Sequence, residues 1–212
     1  HEAIKAAVDE GRPPIAWDIG IPEWGLIEGY DDEAQVYRTI DCFGRHATTP
    51  YAQLGKREIP ILAVTIPGAP TGKSFRELAR DTLVVAVNHA RGREWEERPA
   101  YENGLAAYPK WAALIKGIDQ TGFSSRYYAG TYAYFRDCAA HYLALLAGEA
   151  PQLQPAAEAY ARVAAHLKDV RDARNDSAFP TPDLLDRMER GILAAYEEEK
   201  KGVELLEGLI SI

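Results

Sequence analysis

Seven carboxylates lie between residues 18 and 41, and four of them, Asp18, Glu23, Glu28 and Asp41, are candidates for one site. The segment PEWGLIEGYDDEAQVYRTID reads as two strands on either side of a turn at Asp32. A hairpin turning there predicts Glu23 opposite Asp41, Gly25 opposite Thr39 and Ile27 opposite Tyr37. Directly opposed residues carry Cβ atoms about 4.5–5.5 Å apart. Two carboxylates at that range repel, so one holds a proton or both hold a cation. With Asp18 and Glu28 they outline an acidic cleft suited to an amine, a basic peptide or a metal ion. Trp17, Trp24 and Tyr30 are its aromatic neighbours, although such residues more often serve as core or rim.

Other groupings are weaker. Cys138 and His141 sit three apart on a predicted helix, with His166 and Asp137 as conceivable partners, but nothing completes a tetrahedral metal set. Cys42 follows Asp41 directly, so on a strand it points to the opposite face. Gly68 to Ser74 (GAPTGKS) follows a strand and opens a helix, yet it is one residue short of a phosphate-binding loop and reads better as a turn and N-cap. Tyr128, Tyr132 and Phe135 form a stripe at helical spacing, the usual mark of packing. With Asn103, Tyr108 and Trp111, part of that stripe would wall the cleft, and Asp18, Trp24, Tyr108 and Trp111 are the candidate ligand contacts.

These side chains must be held by local structure. A helix is expected over 3–10, stopped by Gly11 and Pro13-Pro14. Strands are expected at 15–17, 24–30 and 34–40, with Asp31-Asp32-Glu33 as the turn. Thr49-Pro50 predicts an N-cap with proline at N1, opening a short helix closed by Gly55. The run IPILAVTI at 59–66 predicts a fourth, central strand. Ser74 and Glu77 form a capping box, so a helix runs from there to about 90. Further helices are expected at 104–116, 126–147 and 155–174, and a last one from 182 towards 209, interrupted at Gly191. The expected architecture is α+β: a small antiparallel sheet with flanking helices over 1–72, then a helical region over 73–212 packed on it.

The ordered set of GYDD turn, Asp at the end of the next strand and the following Thr-led segment resembles the papain-like cysteine peptidase superfamily. Within it, the pattern is similar to double-glycine leader peptidases and to the family of the butirosin biosynthesis protein H N-terminal domain. The resemblance covers about residues 1–66. It implies a papain-like fold in which Glu23 and Asp41 occupy the positions of the catalytic histidine and of the carboxylate that orients it. It also implies acyl transfer through a cysteine at the start of an upstream helix. No cysteine precedes Glu23, and the chain opens on His1 in what reads as a helix already under way, which predicts a further segment upstream. A glutamate is a poor match for activating a thiol.

Two readings follow. The preferred one is a diverged or non-catalytic relative that binds a small cationic or peptide-like ligand in the acidic cleft. The alternative is a cysteine-dependent acyltransferase or peptidase whose nucleophile lies upstream of this chain. A third role, support of a homodimer by the helical half, needs no chemistry. With 32 acidic against 24 basic residues, the net charge of −8 argues against nucleic acid. No apolar run is long enough for a membrane span. Two cysteines make no disulfide framework, so a reducing cytoplasm is expected. Neither a cofactor nor a metal is called for.

Overall fold

The computed structural model describes residues 1–93, 102–117, 123–176 and 181–210. They form two compact units, His1–Gly72 and Lys73–Ile212. The class is α+β, with one small antiparallel sheet in the first unit and helices dominating the second.

In the first unit α1 (Glu2–Asp9) precedes β1 (Ile15–Ala16), β2 (Gly25–Asp31), β3 (Val36–Ile40), β4 (His46–Pro50) and β5 (Val64–Thr65). The sheet order is β4-β3-β2-β1-β5. Gly11, at φ +72, lets the chain leave α1 in a left-handed turn. Alternation along β2 sends Gly25, Ile27 and Gly29 inward and Leu26 and Glu28 outward. Ile4, Ala16, Ile19, Ile27, Tyr37, Tyr51 and Leu54 form the core.

Three expectations are corrected here. The β2–β3 register pairs Leu26 with Ile40 and Ile27 with Thr39. After an irregularity at Glu28 it pairs Gly29 with Arg38, Tyr30 with Tyr37 and Asp31 with Val36. Neither Gly25–Thr39 nor Ile27–Tyr37 forms, and Glu23 lies before β2. The cause is the turn: the closing pair is Asp31–Val36, and the loop ends on Gln35 in the left-handed region at φ +56. Second, Thr49-Pro50 ends a strand instead of opening a helix, and only a 3-10 turn, Tyr51–Gln53, follows. Pairing with β3 overrides the capping signal, and proline is tolerated because β4 is an edge strand. Third, the run 59–66 contributes only Val64–Thr65, at the other edge. Pro60 cannot donate to a ladder, and Ile61 and Leu62 stay exposed.

The second unit contains α2 (Phe75–Ala90), α3 (Ala107–Leu114), α4 (Phe123–Glu149), α5 (Gln154–Asn175) and α6 (Pro182–Ile210). Ser74 and Glu77 form the expected reciprocal capping box. Ser74 Oγ accepts from the Glu77 N–H at 3.3 Å, and Glu77 accepts from the Ser74 N–H at 2.8 Å. α5 packs against both α4 and α6, and α2 and α3 pack on α6. Tyr108, Ala112, Ala133, Val163, Leu167, Met188 and Ile192 belong to one core cluster. Leu143, Leu146, Leu153, Ala156 and Leu206 belong to another.

Gly191 does not interrupt α6, which runs unbroken through it. A Cβ at Gly191 would lie 2.7 Å from Val170 Cγ2, so the glycine sets the close approach of α5 and α6. Gly130 in α4 has open space instead. Gly191→Ala is therefore expected to destabilise by about 1–3 kcal/mol through overpacking. Gly130→Ala is expected to stabilise by up to about 1 kcal/mol through helix propensity. Urea unfolding followed by helical ellipticity reads both, and equal signs would contradict the packing assignment.

Candidate functional site

The GYDD turn fastens the first unit. The Asp31 carboxylate accepts the N–H groups of Glu33 and Ala34, each at 2.9 Å, and so shapes the turn. Asp32 accepts from Lys5 of α1 and, at 2.9 Å, from the Tyr51 hydroxyl. The Tyr30 hydroxyl donates to Asp9 at 3.0 Å. Helix, hairpin and 3-10 turn are thus tied through two residues of the motif, Tyr30 and Asp32.

Asp41 directly follows β3 and is largely buried. One of its carboxylate oxygens accepts the N–H groups of Phe43 (2.9 Å) and Arg45 (3.0 Å), and the other accepts Arg45 Nε at 2.6 Å. The Asp41 N–H donates to the Arg45 carbonyl at 3.1 Å, closing the β3–β4 turn. Burial alone would raise its pKa, but these hydrogen bonds, chiefly from Arg45, outweigh it and leave it lowered. Hydrogen bonds from Lys5 and then Tyr51 lower that of Asp32. A depressed carboxylate lends stability above its unfolded value and loses it as pH falls through the folded one. The first unit is therefore expected to start unfolding as pH drops below the ordinary value of 3.8. Asp41→Asn should weaken it at neutral pH and flatten that acid limb in a fluorescence-monitored titration.

Asp41 does not meet Glu23 as a hairpin partner. It packs against the loop that carries Glu23: a Cβ added at Gly20 would lie 3.2 Å from Asp41 Cβ. In this loop, residues 17–24, the Ile19 N–H donates to the Glu23 carbonyl at 3.2 Å. Glu23 is half-buried, and its carboxylate makes no hydrogen bond or ion pair among the described residues.

Asp18 is the unusual member. Its backbone is left-handed, at φ +62, and the residue is 1% exposed. Among the described residues neither carboxylate oxygen has a hydrogen-bond partner, and the neighbouring Trp17 Nε1 is also buried without one. Arg57 approaches within 3.7 Å of Asp18 Oδ1. Its N–H groups are directed elsewhere, to the backbone carbonyls of Asp18 (2.8 Å) and Gly20 (3.2 Å). Trp24, 44% exposed, meets Trp17 edge to face with ring centroids 5.6 Å apart.

The remaining candidates lie on other elements. Tyr108 and Trp111 lie in the helical unit. Tyr108 is buried and its hydroxyl donates to Glu199, and the Trp111 ring meets Tyr132 at 5.7 Å. Arg136 Nε bonds both Glu199 oxygens, at 3.0 and 2.8 Å. Of the predicted stripe, Tyr128, Tyr132 and Phe135 are more than two-fifths exposed, so they are not core packing. Cys42 and Cys138 are exposed thiols. Glu28 faces outward and bonds His46 Nδ1 at 2.8 Å. Lys73 pairs with Asp81 at 2.5 Å, and Ser74 serves as the α2 N-cap. Among the described residues, no group of three or more His, Cys, Asp or Glu can hold a metal ion, and no helix is long and apolar enough to cross a membrane.

Sequence reasoning missed the two arginines that approach Asp18 and Asp41. Arg45 carried a signal, four residues after Asp41 behind a glycine turn. Arg57, 39 residues from Asp18, carried none. No protein-family model matches the chain, and no curated protein matches it.

Proposed function

We propose that the first unit is a diverged, non-catalytic papain-like module that binds a small cationic or peptide-like ligand at the 17–24 loop. The observation that carries this reading is Asp18. A left-handed backbone at a non-glycine residue costs about 1–3 kcal/mol, and a buried acceptor without a partner costs about as much again. Both costs fall on one side chain, next to an unpaired indole N–H and a half-exposed tryptophan. A fold keeps such a residue where it serves binding. The antiparallel sheet behind α1 and the position of Asp41 at the end of β3 support the papain-like part.

The same geometry argues against thiol chemistry at these positions. A triad needs a third group that holds a base in one orientation. Asp41 spends its carboxylate on Arg45 and on backbone N–H groups, and Glu23 stands at the histidine position. The test is a titration of the full chain with ethylammonium and with N-acetylalaninamide, read from tryptophan indole NMR signals. A saturable shift with at least one probe, lost in Asp18→Asn, is expected. Unmoved indole signals with both probes would remove the proposal.

A further inference from the structure

Resting on that reading of the loop, we infer that the group it takes is a neutral amide, as in a peptide backbone, in preference to an ammonium ion, and that Arg57 sets this preference. Three buried atoms lack hydrogen-bond partners here: the two acceptors of Asp18 and the indole donor of Trp17. They belong to adjacent residues and together offer two acceptors and one donor, which a ligand group that both donates and accepts would match. An amide carries both a donor N–H and an acceptor C=O, whereas an ammonium offers donors only.

Charge selects in the same direction. The Arg57 guanidinium stands 3.7 Å from the Asp18 carboxylate, so the pair is electrically neutral before any ligand arrives. Its fork is held by the carbonyls of Asp18 and Gly20, a planar two-point arrangement that fixes the positive charge without consuming the carboxylate's acceptor capacity. A cationic ligand would leave an excess positive charge in a buried place, while an amide adds none. Asp41 is likewise matched by Arg45 at 2.6 Å. The carboxylates at 18 and 41 that read as an acidic pair in the sequence are thus each met by an arginine in the fold.

The Asp18 oxygens are closed to solvent, so the ligand enters only when the loop moves. The loop is held by backbone bonds from Trp17 N–H to Ala63 C=O, Ile19 N–H to Glu23 C=O and Glu23 N–H to Ile21 C=O, and by Arg57 on two carbonyls. Gly20, at φ +78, supplies a pivot inside it.

The test compares N-acetylalaninamide with ethylammonium on the full chain, following the Trp17 indole N–H by NMR. The wild type should take the amide at least about tenfold more tightly. Arg57→Met should reverse the order, because Asp18 is then an uncompensated anion. Arg57→Lys keeps the charge and should keep the amide preference, and it remains informative if Arg57→Met fails to fold. A wild type that prefers ethylammonium overturns this inference and leaves the ligand-binding reading standing. Amide preference retained in Arg57→Met, or lost in Arg57→Lys, also overturns it. Silence with both probes removes the inference together with the reading beneath it.

Discussion

Replacing Glu199 with leucine is expected to destabilise the helical unit by about 3 kcal/mol, the lower end of the cost of stripping one partner from a buried ion pair, because Arg136 keeps some contact with solvent. Glu199 is 4% exposed and accepts from Arg136 and from the Tyr108 hydroxyl. These three residues join α3, α4 and α6 inside the helical unit. Burial works against the Arg136 charge, but Glu199 beside it more than compensates and holds its pKa above the ordinary arginine value. Without Glu199, that guanidinium is left without its carboxylate partner.

The expected pattern across variants is specific. Arg136→Leu should cost about as much as Glu199→Leu, and the double variant should cost markedly less than the sum, since an apolar replacement of both ions removes the desolvation penalty. Tyr108→Phe should cost about 1–3 kcal/mol. Burial raises the Tyr108 and Tyr160 phenols above their ordinary value of 10.0. A raised pKa means stability fully present below the unfolded value and lost as pH rises through the folded one, so this unit should weaken above pH 10. Urea unfolding by helical ellipticity measures all of these. Additive single losses would show that the three side chains are not one network.

The second large effect has the opposite sign. Asp18→Asn is expected to stabilise the first unit by about 1–3 kcal/mol. Asparagine tolerates the left-handed backbone and carries no charge to bury. Asp18→Gly should gain at least as much by also relieving the positive φ. Gain of stability with loss of ligand response is the signature of a residue retained for binding. Loss of stability in Asp18→Asn would mean that the 3.7 Å approach of Arg57 outweighs both costs, and that Asp18 is a structural anchor.

Much of this architecture can be read from the chain by local rules. The Ser74–Glu77 capping box and the acidic turn between β2 and β3 are signals within a few residues, and the structure contains them. What local rules miss depends on partners far away in sequence. Thr49-Pro50 has the grammar of a helix start, but β3 pairs with it first. IPILAVTI has the composition of a central strand, but Pro60 and the sheet order leave it at the edge. Gly191 looks like a break and is a contact point for Val170. The hairpin register turns on where the loop closes, and Gln35, neither Gly nor Asn, gives no hint of a left-handed position.

The candidate site divides along the same line. Asp41 at the end of β3 and the acidic loop before β2 were legible. The expected meeting of Glu23 with Asp41 was not realised, because each is held by its own turn. Tyr108 has the look of a ligand contact in sequence, yet its hydroxyl is used inside the helical core. The backbone twist at Asp18 and the distant approach of Arg57 have no sequence signature, and together they supply the strongest functional signal in the first unit.

The most direct test of that signal is the Trp17 indole N–H resonance during titration of the full chain with N-acetylalaninamide, for the wild type and Asp18→Asn side by side. The loop-binding account predicts a saturable shift in the wild type that disappears in the variant. A wild-type resonance that does not move, or a shift that survives in Asp18→Asn, would contradict it.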